Sequence, residues 1–390
     1  MDGTPARVTV GDVIAQLERI YPPSSAADWD AVGLVCGDPS LPVQRILFAI
    51  DPTAAVVEEA KEWGAQLVVT HHPLLLRGVH GVPTTTAKGR VVHELVRSGM
   101  ALYVAHTNAD VAAPGVSDAL ARVIGLQDLA PLVGDPSTPT DKVVTFVPEE
   151  QTQSVIDAMT AAGAGAIGDY SRCAWVSAGT GTFIPGPSTQ PAIGQPGRLE
   201  EVREARVEMQ LPRALRSAVI AAVRAVHPYK DPVLDIFELA SWSGPTGIGR
   251  VGTLPTTVTL HELALIVASA LPSTVQGVRA SGPEVGQVHR VAVCGGSGDD
   301  LFDAVRRSGA DAYVTADLRH HPALEAREES SGPPWLVDVS HWASEWPWLA
   351  GCADRVMAAL GDEQTTVEAR VSTTRTDPWT LHVPSRGGPA

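Results

Sequence analysis

RILFAIDPTAAVVEEAKEWGAQLVVTHHP, Arg45 to Pro73, is the stretch on which the reading of the fold turns. An apolar β-type run, Ile46–Ile50, gives way to a turn and then to a helical run. Gly64–Ala65 stops the helix, and a second apolar run ends at Thr70. That sequence of periods is a β-α-β unit. A second stretch, RVAVCGGSGDDLFDAVRRSGADAYVTADLRHHP from Arg290 to Pro322, repeats the plan. Arg45 to Gly64 spans 19 positions, as does Arg290 to Gly309; Arg45 to Thr70 spans 25, as does Arg290 to Thr315. The constant offset of 245 points to an internal repeat, where two unrelated β-α-β units would differ in spacing.

The echo continues beyond each unit. A strand over Ala101–Ala105 is expected to deliver His106-x-x-x-Asp110, and a strand over Trp335–Val339 to deliver His341-x-x-x-Glu345. Ligand sites of open α/β sheets gather at the carboxyl ends of strands, so two facing halves would merge their strand-end loops into one cleft. Between the halves the character changes. DKVVTFVPEE, QTQSVIDAMTAAGA, SRCAWVSAGTGTFIPG, ARVEMQLP, RALRSAVIAAVRAV and PVLDIFEL read β-α-β-β-α-β, the ferredoxin-like split βαβ order. GPSTQPAIGQPG, Gly186–Gly197, is too rich in glycine and proline for regular structure.

The expected class is therefore α/β: two pseudo-repeated α/β halves forming a metal-binding unit, with an inserted ferredoxin-like α+β domain. The expected boundaries are 1–135 for the first half, 138–245 for the insert, 246–383 for the second half and 384–390 for a C-terminal tail. Of 390 residues, 44% are hydrophobic and 19% charged, and no apolar run is long enough to span a membrane. The opening residues lack the basic-then-apolar order of a secretory signal, so a cytoplasmic protein is expected. Cys36, Cys173, Cys294 and Cys352 lie far apart with no CxxC pair, which argues against disulfides and a thiolate zinc site. A net charge of −15 without any basic run disfavours nucleic acid as a partner.

His71, His72, Asp110, His341 and Glu345 form the candidate chemistry. A mixed imidazole and carboxylate set suits zinc, manganese, iron or cobalt, and suits calcium poorly. In an extended backbone adjacent His71 and His72 point to opposite sides, so each would serve a different ion of a pair. His341 and Glu345 share one helix face at i and i+4. Either pair alone is an ordinary surface feature; their placement at matching strand ends of a repeat gives the metal reading its weight.

Other residues carry weaker expectations. His106 is either a proton donor beside the metals or a loop-fixing histidine. The turn Cys294–Asp300 is either a phosphate cradle or, lacking a P-loop lysine, a plain tight turn. His320 and His321, at a helix start, are expected to face solvent or to support the site from outside. WASEWPWLA sets Trp342, Trp346 and Trp348 beside the ligands, for packing or, at Trp342 or Trp346, for stacking on a base.

VVTHHPLL, VAHTNAD, GAGAIGDYSRCAWVSAGTGTF, HPYKDPVLDIFEL, GADAYVTAD and DVSHWASE together resemble the NIF-three-like dinuclear-metal family, also described as GTP cyclohydrolase one, type two homologues, in its longer bacterial form. The resemblance covers nearly the whole chain. It implies two divalent ions per subunit held by His71, His72, Asp110, His341 and Glu345, and a ring-shaped homohexamer with the metals facing an inner cavity. Ser340 stands where the family places a glycine before the late histidine. The leading expectation is a metal-dependent hydrolase, cyclohydrolase-like, using a metal-activated water on a small nucleotide-like or phosphorylated substrate. The alternative is an oligomeric metal-binding, buffering or sensing protein without turnover.

Overall fold

The computed structural model describes residues 8–136, 139–240, 243–361 and 367–384. The chain forms two compact units, residues 1–135 with 245–390, and residues 136–244. The stretch expected as a tail, 384–390, lies outside the described residues except for Pro384.

The first unit holds two sheets. One runs in the order Gly33–Cys36, Ala101–Val104, Leu67–Thr70, Arg45–Ala49, Glu368–Val371, parallel except for its first strand. The other runs Arg279–Ser281, Trp335–Val339, Ala312–Ala316, Gln287–Ser297, Ser243–Thr259, Gln127–Pro136. Its three central repeat strands are parallel, Arg279–Ser281 pairs antiparallel to Trp335–Val339, and Ser243–Thr259 pairs antiparallel to Gln287–Ser297. Helices cover both faces, which is why the parallel strands read as unbroken apolar runs with no alternation. Alternate residues go to different cores. Ile46, Phe48, Leu67 and Val69 share one core with Val291, Val293, Val314 and Val337. Leu47, Val68 and Leu102 pack outward on the helices Ala54–Trp63 and Ala87–Arg97. Ala292, Cys294, Tyr313 and Leu336 face outward in the second half.

The repeat survives at the level of single hydrogen bonds. Arg45 Nη1 donates to Trp63 O at 2.8 Å, and Arg290 Nε to Ser308 O at 3.0 Å. Gln66 Oε1 accepts from the backbone N–H of Gln44 and Arg45 at 2.8 and 3.0 Å; Asp311 Oδ2 accepts from those of His289 and Arg290 at 2.9 and 2.8 Å. Gly64 and Gly309 end their helices in the left-handed region, with φ of 75° and 69°. Buried Arg250 joins the halves, pairing with Asp118 at 2.7 Å and donating to Ala112 O at 2.6 Å.

The unit 136–244 is a four-stranded antiparallel sheet in the order Trp175–Phe183, Glu200–Pro212, Thr140–Pro148, Leu234–Glu238. The helices Thr152–Ala161 and Arg216–Val226 pack on it through Val155, Met159, Val219 and Val223. This is the ferredoxin-like order. Its histidine, His227, is buried and donates from Nε2 to Phe146 O at 2.9 Å while Nδ1 accepts from Tyr229 N–H, a bonding pattern that fixes a turn. Four strands are not anticipated by the sequence reading: the short Gly33–Cys36 and Arg279–Ser281, and the long Gln127–Pro136 and 17-residue Ser243–Thr259. Pro131 and Gly134 break the local pattern of Gln127–Pro136 and Pro255 that of Ser243–Thr259, where a register shift between Thr253 and Val258 absorbs it.

Candidate metal centre

Three strand ends build the site. After Leu67–Thr70 the backbone ladder extends as His71 N–H donates to Ala49 O at 3.2 Å and His72 N–H to Ile50 O at 2.8 Å; then the chain bends before Pro73. After Ala101–Val104, Asn108 closes a turn: its Oδ1 accepts from His106 N–H at 2.9 Å, and its Nδ2 donates to Tyr21 O at 2.8 Å. The five-residue helix Thr107–Val111 that follows carries Asp110. After Trp335–Val339, Ser340 caps the helix His341–Glu345. The Ser340 hydroxyl donates to Asp377 Oδ1 at 2.5 Å, a use of the serine that a glycine at this position could not provide.

Glu345 is the hub. Its Oε1 lies 3.0 Å from His341 Nε2 and 3.5 Å from His71 Nε2, and its Oε2 lies 3.1 Å from His72 Nε2. Asp110 Oδ1 is 3.6 Å from His71 Nε2, and the Nε2 atoms of His72 and His341 are 3.3 Å apart. The expected divergence of His71 and His72 holds only for their outer edges. The bend past Thr70 breaks strand alternation, and the two rings, with centroids 5.0 Å apart, turn their Nε2 atoms onto opposite oxygens of one carboxylate.

Each ring is pinned from behind. His71 Nδ1–H donates to Ala105 O at 2.9 Å, His72 Nδ1–H to Asp51 Oδ1 at 2.7 Å, and His341 Nδ1–H to Asp317 Oδ2 at 2.7 Å. Those partners only accept, so the neutral rings carry their lone pairs on the inward Nε2 atoms. This is the outer support that metal-bound histidines ordinarily have. Buried His71 Nε2 and Glu345 Oε2 make no hydrogen bond, a cost that a cation between them would remove. The donor set therefore fits a transition or zinc-type ion.

Electrostatics agree. Burial opposes charge on Glu345, yet His72, His341 and His71 hold its carboxyl well below the usual range. Burial also opposes protonation of the rings, yet Glu345 leads the groups that raise His71, His72 and His341, the last to about 10. Burial lifts Asp110 to about 6, with His71 pulling against it. As titratable groups alone, the cluster gathers protons around a carboxylate where a cation would serve equally.

All five expected residues thus meet. His106 joins them, its ring 5.2 Å from His71 and 5.6 Å from His72, with Nδ1–H donating to Asp30 Oδ1 at 2.9 Å. Burial and His71 lower its pKa. His71, His72 and His106 form one group able to hold an ion, and His72, His341 and Glu345 another. His320 and His321 are exposed at the start of the helix His320–Glu328, outside both groups. The turn Cys294–Asp300 does touch the centre. Gly296 has φ +70°, and a Cβ there would collide with Glu345 Oε1 and reach within 3.2 Å of His341 Nε2. Its N–H donates to Ser344 Oγ at 2.8 Å and that of Gly295 to Ser117 Oγ at 3.3 Å, which takes both from any phosphate. Trp342 and Trp348 are buried, Trp348 lying 5.3 Å from His71, and Trp346 donates to Ser372 O. Packing is their role.

Sequence reasoning missed Asp51, Asp317 and Asp30, the carboxylates behind the rings. Asp317 sits 245 positions after His72, so the repeat itself held the signal. A strap formed by Ser372–Asp377 was missed as well. Ser372 and Thr374 donate to Glu59 Oε2 at 2.6 Å, Thr376 donates to Asp51, and Asp377 accepts from Ser340.

The family model described as Duf34/NIF3 (NGG1p interacting factor 3) matches residues 8–378. A curated relative from Mycobacterium leprae (strain TN), named GTP cyclohydrolase 1 type 2 homolog, is 49% identical over 375 residues, covering 95% of each chain. One of the same name from Streptomyces coelicolor is 37% identical over 376 residues, covering 96% of this chain and 95% of its own. A solved Bacillus cereus protein related to NIF3 is 34% identical with a TM-score of 0.71, over 96% of this chain and 99% of that one. A solved Staphylococcus aureus protein is 28% identical with a TM-score of 0.80 over the same shares.

Proposed function

The chain belongs to the Duf34/NIF3 family, and from that premise we propose that it binds two divalent ions per subunit and hydrolyses a small nucleotide-like or phosphorylated substrate. The observation that carries this reading is Glu345, whose two oxygens face His71 and His341 on one side and His72 on the other. His71 and Asp110 would hold one ion, His72 and His341 the other, with Glu345 shared. Bound divalent ions of this type lower the pKa of a water toward neutrality and polarise an acceptor oxygen.

The chain's own residues do the rest. Ala105, Asp51 and Asp317 hold the three rings in one orientation. His106, kept neutral by burial and aligned through Nδ1 by Asp30, presents Nε2 as a proton acceptor beside the cluster. The name shared by the curated relatives supports a nucleotide-like substrate. The proposal extends to a homohexamer and to residues 138–245 as a separate inserted module. No described helix is long and apolar enough to cross a membrane.

Elemental analysis of protein purified without chelator tests the centre, with about two metal equivalents expected, falling in each alanine variant of His71, His72, Asp110, His341 and Glu345. Turnover is tested on a panel of nucleotides and phosphoesters, where His341→Ala should abolish activity and leave the oligomer intact by light scattering. Retained metal with a barren panel would instead favour the non-catalytic metal-binding reading.

A further inference from the structure

An aromatic side chain beside the centre has no task in the cluster. Trp29 lies in the turn Ala27–Asp30, closed by Asp30 N–H donating to Ala27 O at 2.9 Å. Such positions ordinarily favour Gly, Asn, Asp or Ser. Here an indole stands 62% exposed, its ring 6.0 Å from that of His106 with the planes at 78°. The rings meet edge to face and are not stacked, and most of the indole stays in solvent.

The turn is held firmly. The Asp30 side chain is fully buried and accepts from His106 Nδ1 at 2.9 Å, Thr107 Oγ1 at 2.5 Å, Thr107 N–H at 3.0 Å and Ala31 N–H at 2.7 Å. Ala27 N–H donates to Thr107 Oγ1 at 2.9 Å. Thr107 opens the helix that carries Asp110. The indole is thereby fixed to the loop that presents His106 and Asp110, at the cost of leaving a large apolar surface in water. Among the described residues the other tryptophans near the cluster, Trp342, Trp346 and Trp348, are tied into packing or hydrogen bonds.

We infer that Trp29 is the stacking wall for a planar heteroaromatic ring, the part of the substrate that a nucleobase would supply. A ring stacked on the indole would lie next to His106, whose own ring is 5.2 and 5.6 Å from those of His71 and His72. Any π-face suits an indole, so the wall selects planarity, and the cluster selects what the ring bears. This rests on the metal-centre reading above.

The test uses full-length zinc-loaded protein with two calorimetric probes, GMP and ribose 5-phosphate, which share the sugar phosphate and differ in the ring. Wild type should bind GMP roughly ten- to a hundredfold more tightly than ribose 5-phosphate. Trp29→Ala should lose that margin for GMP alone, Trp29→Phe should keep most of it, and zinc content should not change. Equal binding of the two probes by wild type overturns the proposal, as does undiminished GMP binding by Trp29→Ala. So does a changed oligomer size in Trp29→Ala, which would make the indole a subunit contact. Failure of wild type to bind either probe also overturns it, while an unchanged zinc content leaves the metal centre standing.

Discussion

At the end of its middle strand the first half places His71 and His72, whereas the second half, 245 positions on, places Ala316 and Asp317. The scaffolds beneath are the same down to the arginine that ties each strand to its helix end. What differs is which strand supplies the ring and which the acceptor. In the first half the middle strand supplies His72, and Asp51 at the end of the preceding strand pins it. In the second, the helix after the third strand supplies His341, and Asp317 on the middle strand pins it. Asp51 itself corresponds to Gly296, which must be glycine because Glu345 and His341 crowd it. A repeat built for folding has thus been specialised only where its strands end.

The sharpest way to break this comparison is Glu345→Gln, which keeps the shape and removes the charge shared by rings of both halves. Bound metal should fall in both equivalents, by more than the roughly 10–100-fold that loss of an outer partner costs. Loss of a single equivalent by elemental analysis would show that the carboxylate serves one half only. Next come Asp51→Asn and Asp317→Asn. Each makes the same 2.7 Å bond to a ring, so each should weaken metal binding by roughly 10–100-fold in chelator competition. A large inequality would mean that the two carboxylates are not counterparts.

Proton linkage is a smaller effect. With its pKa raised to about 10, His341 is protonated at neutral pH until a metal displaces the proton, so binding should release protons and tighten as pH rises. In chelator-treated protein the raised His341 stabilises fully below its ordinary value, and that contribution fades as pH climbs toward 10. Lowered Glu345 stabilises above the ordinary carboxylate range and is lost on acidification. Calorimetry in buffers of different ionisation enthalpy, and melting of chelated protein against pH, measure both; a Tm flat from pH 7 to 10 would contradict the assignment for His341. Smallest are Gly64→Ala and Gly309→Ala. Both replace a left-handed helix cap, so both should cost about 1–2 kcal/mol in denaturant unfolding and leave metal content unchanged.

The sequence held the repeat in plain view, because a β-α-β unit spends its residues on apolar periods and a glycine stop, all of which are local. It also held the five converging groups, since histidines at strand ends are rare enough to stand out. Asp30 and Asp51 were not legible: an acidic residue in a loop has no periodicity, and its role exists only once a distant ring donates to it. Asp317 was marked by its repeat offset from His72, which gives its place and not the ring it holds. The bend at His71 was hidden for a related reason. Alternation predicts opposite faces until a proline ends the ladder, and only the fold says where the chain turns. The proline-interrupted strands Gln127–Pro136, at a sheet edge, and Ser243–Thr259 beside it draw their pairing from neighbours far along the chain.

The strap Ser372–Asp377 has a consequence for how the two halves are restrained. Thr376 holds Asp51 of the early half, and the next residue, Asp377, holds Ser340 of the late one. The carboxylate behind His72 and the turn before His341 therefore lean on the same short segment. Loosening that one segment would slacken both lips of the cluster together, although neither lip contributes a residue to it.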